Sequence, residues 1–363
     1  MADKRSMIKE LIFTILLLLS TSVQADAPPV VLEDGKEFYE IGLNLDILED
    51  PSGKLTIDDV NSPEWAVKFK RSTKKVPNFG FSKSAFWLKW KVINHFSPSK
   101  MWFISFDYYT QDKVHFFKKE KGKWVITKTG DTYKVSTREI DSRHFIFKLS
   151  SKKKETYFLR IEGALNQANV SLMSGKKLLS ENTKNNYFFG LVFGLILAMV
   201  FYNFFIFIFT KNFGYLFYTL YAVFLGLWLA TFNGFGQRFL FYNSPWMSNN
   251  GLPLLMGLSF LSLNLFSIFY LEINSNKGKI YKSLIFCCLC SIFIILASLI
   301  FENALNVKLN ILNALINISL LLTAGFYKWK LQYRPAKFFL ISFSCVLFGG
   351  LIYIMAFNKI FPI

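Results

Sequence analysis

Residues 187–210 read YFFGLVFGLILAMVFYNFFIFIFT, without a single charged side chain. A helix that crosses the hydrocarbon core of a bilayer needs about 20 mostly apolar residues, so this stretch is long enough to span. Five more segments of the same character follow: Phe213–Phe235, Gly251–Leu271, Tyr281–Phe301, Ala304–Tyr327 and Lys337–Phe357, none with a charge at its centre. Short polar loops separate them. Residues 187–357 are therefore expected to form a six-helix transmembrane bundle, with 358–363 as a short tail.

The composition agrees. Hydrophobic residues make up 52% of the 363, and 42 are Phe, a bias of lipid-facing surface. The net charge of +18 is informative only when divided along the chain. Residues 26–186 carry 28 basic and 20 acidic side chains, whereas residues 187–363 carry 11 basic and two acidic. The second excess lies mainly in loops, where a topology rule accounts for it, so nucleic acid is not among the expected partners. All four cysteines, Cys287, Cys288, Cys290 and Cys345, fall inside apolar segments. A disulfide framework is thereby excluded for the polar half. The Cys287–Cys290 cluster has no neighbouring His or carboxylate and reads as small packing residues rather than a metal site.

Residues 1–25 read as a signal peptide: a basic head at Lys4, Arg5 and Lys9, a short apolar run Leu11–Leu19, and small residues at Val23–Ala27. Residues 28–180 read as one β-rich domain. In Phe86–Val92 the apolar residues Phe86, Leu88, Trp90 and Val92 alternate onto one face, as in a strand. Short strands are also expected at Met101–Tyr108, Lys113–Lys118, Lys123–Thr127, Arg143–Leu149 and Thr156–Glu162, separated in several places by turn-forming Gly, Asn, Asp and Ser. Short strands without helical patterns point to a β-sandwich or jelly roll. Ser174–Asn186 reads as a connector. With that domain outside, the inner loops hold eight basic residues (Lys211, Lys277, Lys279, Lys282, Lys328, Lys330, Arg334, Lys337) and the outer side three (Arg238, Lys308, Lys359). Cytoplasmic loops favour Lys and Arg, so the expected place is a cytoplasmic membrane, crossed repeatedly, with the amino-terminal domain extracytoplasmic.

Particular residues then carry a resemblance. Phe79-Gly80-Phe81 precedes Phe86-Trp87-Leu88-Lys89-Trp90 and Asn94; Gly130-Asp131 precedes Arg138 and Arg143; and Thr156–Ile161 makes a late strand. In the apolar half, Gly190 and Gly194 lead to Tyr202-Asn203, Lys211-Asn212, Tyr215, Tyr218, Tyr221, Gly234 and Gly236. In order and spacing the chain resembles bacterial seven-transmembrane receptors with diverse intracellular signalling modules, in the branch with the second type of extracellular domain. The resemblance implies a jelly-roll external domain that binds carbohydrate or another small ligand. It also implies seven helices and a cytoplasmic output, whereas six helices are read here. That difference suggests a truncated product or a receptor served by a separate cytoplasmic effector or a homo-oligomer.

No catalytic constellation, cofactor motif or metal-ligand spacing is seen: His95, His115 and His144 are scattered. Aromatics offer faces for a ligand, with Tyr108 and Tyr109 beside Asp107 and Asp112 as the leading pair, Trp87 as a further face, and Arg138 and Arg143 as grips for an anion. Core packing is the competing role for aromatics in a sandwich. In the fifth apolar segment Asn306, Asn310, Asn313 and Asn317 recur at helical spacing, which puts four amides on one stripe facing the bundle interior. Asn203 and Asn264 are their expected partners. Interhelical bonding is the favoured role of this seam; repacking on signalling is the alternative. A transporter or channel subunit is the competing function, disfavoured by the lack of mid-depth ionisable residues.

Overall fold

The structure, a computed structural model, describes residues 26–96, 100–150, 152–242, 244–273, 278–301 and 303–357. The signal-peptide reading of 1–25 and the tail 358–363 lie outside the described residues. Thirteen strands come first: β1 Val30–Leu32, β2 Phe38–Glu40, β3 Asp46–Asp50, β4 Lys70–Arg71, β5 Asn78–Phe81, β6 Ala85–Asn94, β7 Trp102–Phe106, β8 Lys113–Glu120, β9 Lys123–Thr129, β10 Phe145–Lys148, β11 Lys154–Glu162, β12 Leu165–Gln167 and β13 Val170–Ser174. Two single-turn helices, α1 Ile57–Val60 and α2 Pro63–Ala66, interrupt them. Six long helices follow: α3 Gly175–Thr210, α4 Phe213–Phe232, α5 Pro245–Tyr270, α6 Gly278–Ile300, α7 Asn303–Lys330 and α8 Arg334–Phe357.

Eleven of these strands form a two-sheet sandwich, and β5 pairs with β12 in a separate two-stranded sheet. One sheet runs β4-β3-β6-β11-β8-β9, with β1 added parallel to β6; the other runs β10-β7-β13-β2. The period-two pattern of β6 explains its central place. Phe86, Leu88, Trp90 and Val92 point between the sheets, where they meet Ile104, Phe106, Phe145 and Phe147 of the opposite sheet. Its register with β11 sets Trp90 against Tyr157 and Leu88 against Leu159, same-face pairs of the kind that stabilise a sheet. The other face of β6 is covered too. Trp87 packs with Ile57, Val60 and Phe69 beneath α1, whose start is a reciprocal cap in which Thr56 and Asp59 bond each other's backbone N–H.

The segment expected as a connector is helical. Ser174 caps α3 by accepting from the Lys177 N–H, and Lys177 pairs with Glu181 one turn on. No proline or turn signal breaks the run Gly175–Asn186. Sandwich and bundle are therefore joined by continuous helix. Leu178 in its first turn packs under the second sheet with Phe103, Ile146 and Met173. That is why Ile146, on the face of β10 turned away from the inter-sheet core, is buried.

Among the described residues five helices, α3 to α7, are long and apolar enough to cross a membrane, and the apolar α8 follows. The most enclosed of the five is α5, against α4, α6 and α7. Lys211 ends α3 in the left-handed conformation at φ 54°, and Asn212 at once caps α4 by accepting from Gly214 N–H. At the same end of the bundle, Lys328 Nζ donates to the Glu272 carbonyl at 3.0 Å, tying α7 to the loop after α5.

Candidate functional site

The long connection between β9 and β10 contains Arg138 and Arg143, both buried. A single turn of helix, Val135–Thr137, sets the first in place. Arg138 Nη1 donates to the carbonyls of Ser142 and Arg143, and so holds its own loop shut. Its Nη2 leaves the sandwich altogether and donates to Gln237 Oε1 at 2.7 Å.

Gln237 lies on the link from α4 to α5. There Asn233 ends α4, Gly234 turns the chain at φ 76°, and Gly236–Leu240 make one wide helical turn before Pro245 starts α5. Wide turns of this kind are uncommon and often mark functional places. The Gly234 conformation favours glycine. A Cβ there would also stand 3.2 Å from Tyr109 Cδ1 and from Arg143. The link is pressed against the base of the sandwich. The fully buried Gln237 amide completes the contact by donating to the Tyr109 carbonyl at 3.4 Å.

Arg143 sits beside this bond in an aromatic cage drawn from three elements. Its guanidinium carbon is 5.4 Å from the Tyr109 ring centroid, 5.2 Å from that of Phe189 on α3, and 4.9 Å from that of Phe235 on the link. Cation–π attraction strengthens where water is excluded. Arg143 is 3% exposed, and its Nε and Nη1 meet no acceptor among the described residues. At the rim Arg238 reaches Asp141 at 3.1 Å, an exposed pair of small energetic weight.

A buried carboxyl group stands behind Arg138. Burial, and next the nearby Asp112, push the Asp131 carboxyl well above the usual carboxylate range, with Arg138 opposing. Burial likewise lowers Arg138 to about 10, with Asp131 and Asp141 opposing. A charge that costs so much to desolvate is held only where its hydrogen bonds are made, and one of those bonds crosses to the bundle.

The other candidate residues fall in separate places. Trp87 and Tyr108 offer no face to a ligand, which corrects the expectation for both. Trp87 is 1% exposed and packed under α1, and Tyr108 belongs to the inter-sheet core. Burial pushes the Tyr108 hydroxyl up to about 12. Tyr109, Arg138 and Arg143 are brought together, but against the bundle rather than around an open cleft. Within the bundle, Asn306, Asn310, Asn313 and Asn317 are all buried on the inner stripe of α7. Asn264 of α5 donates to Asn317 Oδ1 at 2.6 Å. Asn203 does not join them: it donates to the Met199 carbonyl of its own helix. Gln237 escaped the sequence reading. Its only signal was its place between Gly236 and the outer basic residue Arg238.

Two family models match the chain. The one described as "7TM diverse intracellular signalling" covers residues 185–363, and "7TMR-DISM extracellular 2" covers residues 42–174. Their boundary falls within α3, at the passage from sandwich to bundle. The chain belongs to this receptor family. It is thus a multi-pass membrane protein of a sensory receptor type, with the sandwich as its extracellular domain. No curated protein matches the chain. In the receptor, the contacts of Arg138 and Tyr109 with Gln237, and of Arg143 with Phe189 and Phe235, join its two modules.

Proposed function

We propose that the chain is a sensory receptor of a bacterial cytoplasmic membrane. Its sandwich takes a carbohydrate or other small ligand and passes the event to the bundle through the Arg138–Gln237 bond and the Arg143 cage. The buried hydrogen bond from Arg138 to Gln237 carries this reading. It is a charge-assisted contact in a water-excluded place, and a shift of the sandwich either moves the α4–α5 link or breaks the bond. A cavity of about 470 Å³ beside β3 and β5 is the best-placed cleft for the ligand. Lys70, Arg71 and Lys74 give it cationic walls, and Phe79, stacked on Phe86 at 4.0 Å, gives it an aromatic one. That lining suits an acidic sugar or another small organic anion. The inner loops then pass the change to an effector, carried on the same protein or on a separate chain.

The test uses the full chain with its four native cysteines changed to alanine and a single probe, Gln332→Cys, in an inner loop. A panel of neutral and acidic saccharides is screened by calorimetry, and each binder is added while thiol labelling is timed. Gln237→Leu should leave affinity unchanged and abolish the ligand-dependent change in labelling. An unaltered labelling response in Gln237→Leu would remove the junction from the pathway, and a panel without binders would remove the ligand class.

A further inference from the structure

Beside the tight junction the sandwich stands clear of the bundle. A cavity of about 650 Å³ opens between its base and the outer ends of α5, α6 and α7, a size typical of ligand sites. Its two walls differ in chemistry. The upper wall is polar, with Lys83, Lys113 and Thr132 of the sandwich; the lower is formed by Leu299, Ile300 and Phe301 at the end of α6, with Trp246 of α5. Those three α6 residues are 53%, 76% and 45% exposed. They mark the outer membrane boundary, where an indole such as Trp246 is at home.

The lining itself carries two lysines, Lys83 and Lys113, and two carboxylates; the positive excess comes from Arg160 and Lys308 just outside it. Of the two carboxylates in the wall, Glu162 is held by Lys113 at 2.7 Å and Arg160 at 2.8 Å, and Asp112 accepts from the Ala164 N–H at 3.2 Å. Lys83 has no carboxylate partner among the described residues. Lys308, one turn beyond the lining residue Ala304, bends its ammonium back over the Phe81 ring at 5.4 Å. Lys83 on the upper wall and Lys308, turned toward the sandwich beside the lining, thus bring two ammonium groups to the region of the apolar residues at the end of α6.

We propose that this cavity binds an anionic phospholipid of the outer leaflet, its phosphate between Lys83 and Lys308 and its acyl chains on Leu299, Ile300 and Phe301. Long basic side chains reach to the interface and attract anionic headgroups, and the ledge removes tail surface from water. The bound lipid would fill the space that lets the sandwich lean on α5–α7, a role independent of what the Arg138 junction transmits.

Native mass spectrometry of the full chain in detergent, with dioleoyl phosphatidylglycerol, dioleoyl phosphatidylcholine or glycerol 3-phosphate added, tests the assignment. One phosphatidylglycerol should be retained about tenfold more tightly than phosphatidylcholine, a margin that two interfacial lysines supply. Lys83→Ala with Lys308→Ala should bring that preference below about twofold, whereas Lys211→Ala at the opposite end should not. Ile300→Asn should weaken both lipids alike. These side chains are exposed, and size-exclusion profiles check that each variant folds. Equal retention of the two lipids, a preference that survives the double substitution, or displacement of the lipid by glycerol 3-phosphate alone would overturn the proposal.

Discussion

Two of the places where the receptor buries polar side chains use them differently. At the junction, Arg138 and Gln237 come from parts of the chain 99 residues apart and bond across two modules. In the asparagine stripe most bonds stay local. Asn310 donates to the Asn306 carbonyl, and Asn317 to Asn313 on the same helix. Among the described residues, the Asn264–Asn317 bond is the one in the stripe that joins two helices. A local bond survives when helices slide as rigid bodies, whereas a bond between modules cannot outlast their relative motion. The junction is thus suited to sensing displacement, whereas the stripe mostly satisfies its own helix and ties it to α5 through Asn264.

Arg138→Ala attacks that contrast at its strongest point. It removes a charge-assisted bond, frees two carbonyls of its own loop, and strands the Gln237 amide. The expected loss is about 3–5 kcal/mol, from a charged hydrogen bond plus a buried unsatisfied group. Chemical unfolding of the full chain in detergent would measure it, with trypsin cleavage at Lys134–Arg143 as a local readout. A loss under about 1 kcal/mol would mean that the modules are held elsewhere.

Gly234→Val comes next. A branched side chain at φ 76° and 3.2 Å from Tyr109 and Arg143 should cost about 1–3 kcal/mol in backbone strain and contact. The matched control is Gly190→Ala on α3, where nothing lies within 4 Å of the added carbon. There the expected change stays within about 0.5 kcal/mol. Similar losses at both positions would show that the close approach at the link is not specific.

The smallest effect belongs to the stripe. Asn317→Leu deletes the bond to Asn264, and about 1 kcal/mol is expected, within the range for interhelical polar contacts in membranes. Asn203→Leu should cost less, since its amide serves only its own helix. Unfolding in mixed micelles ranks the two. A larger loss for Asn203 would sink the assignment of the stripe as the interhelical contact.

The parts legible in the sequence are those set by local periodicity. The apolar runs announce α3 to α8, the alternation in Phe86–Val92 announces β6, and the spacing of the four asparagines places them on one stripe. Strands as short as β4 and β12 carry too few residues to show a period, and they form by pairing with partners already in place. The site was half legible. Arg138 and Arg143 stood out as strong chemistry, but nothing in the sequence around a loop arginine or one at the head of an expected strand shows what will cover it. Only the fold brings Gln237 and Phe235 onto them. Trp87 and Tyr108 misled because an aromatic beside a strand end looks the same whether the neighbouring layer covers it or not.

One further consequence belongs to α3. The helix runs 36 residues without interruption from its cap at Ser174 to Lys211, roughly 54 Å at the usual rise per residue. It starts packed beneath a sheet and ends at the first inner loop. A rod of that length has no slack at the membrane boundary, so Leu178 and Lys211 are mechanically linked through one unbroken helix. Shifting its register by a single residue would rotate the inner end by about 100° and advance it about 1.5 Å. Inserting one alanine between Asn185 and Asn186 therefore turns Leu178 by about 100° relative to Phe189, so the packing under the sheet and the Arg143 cage cannot both stay in register.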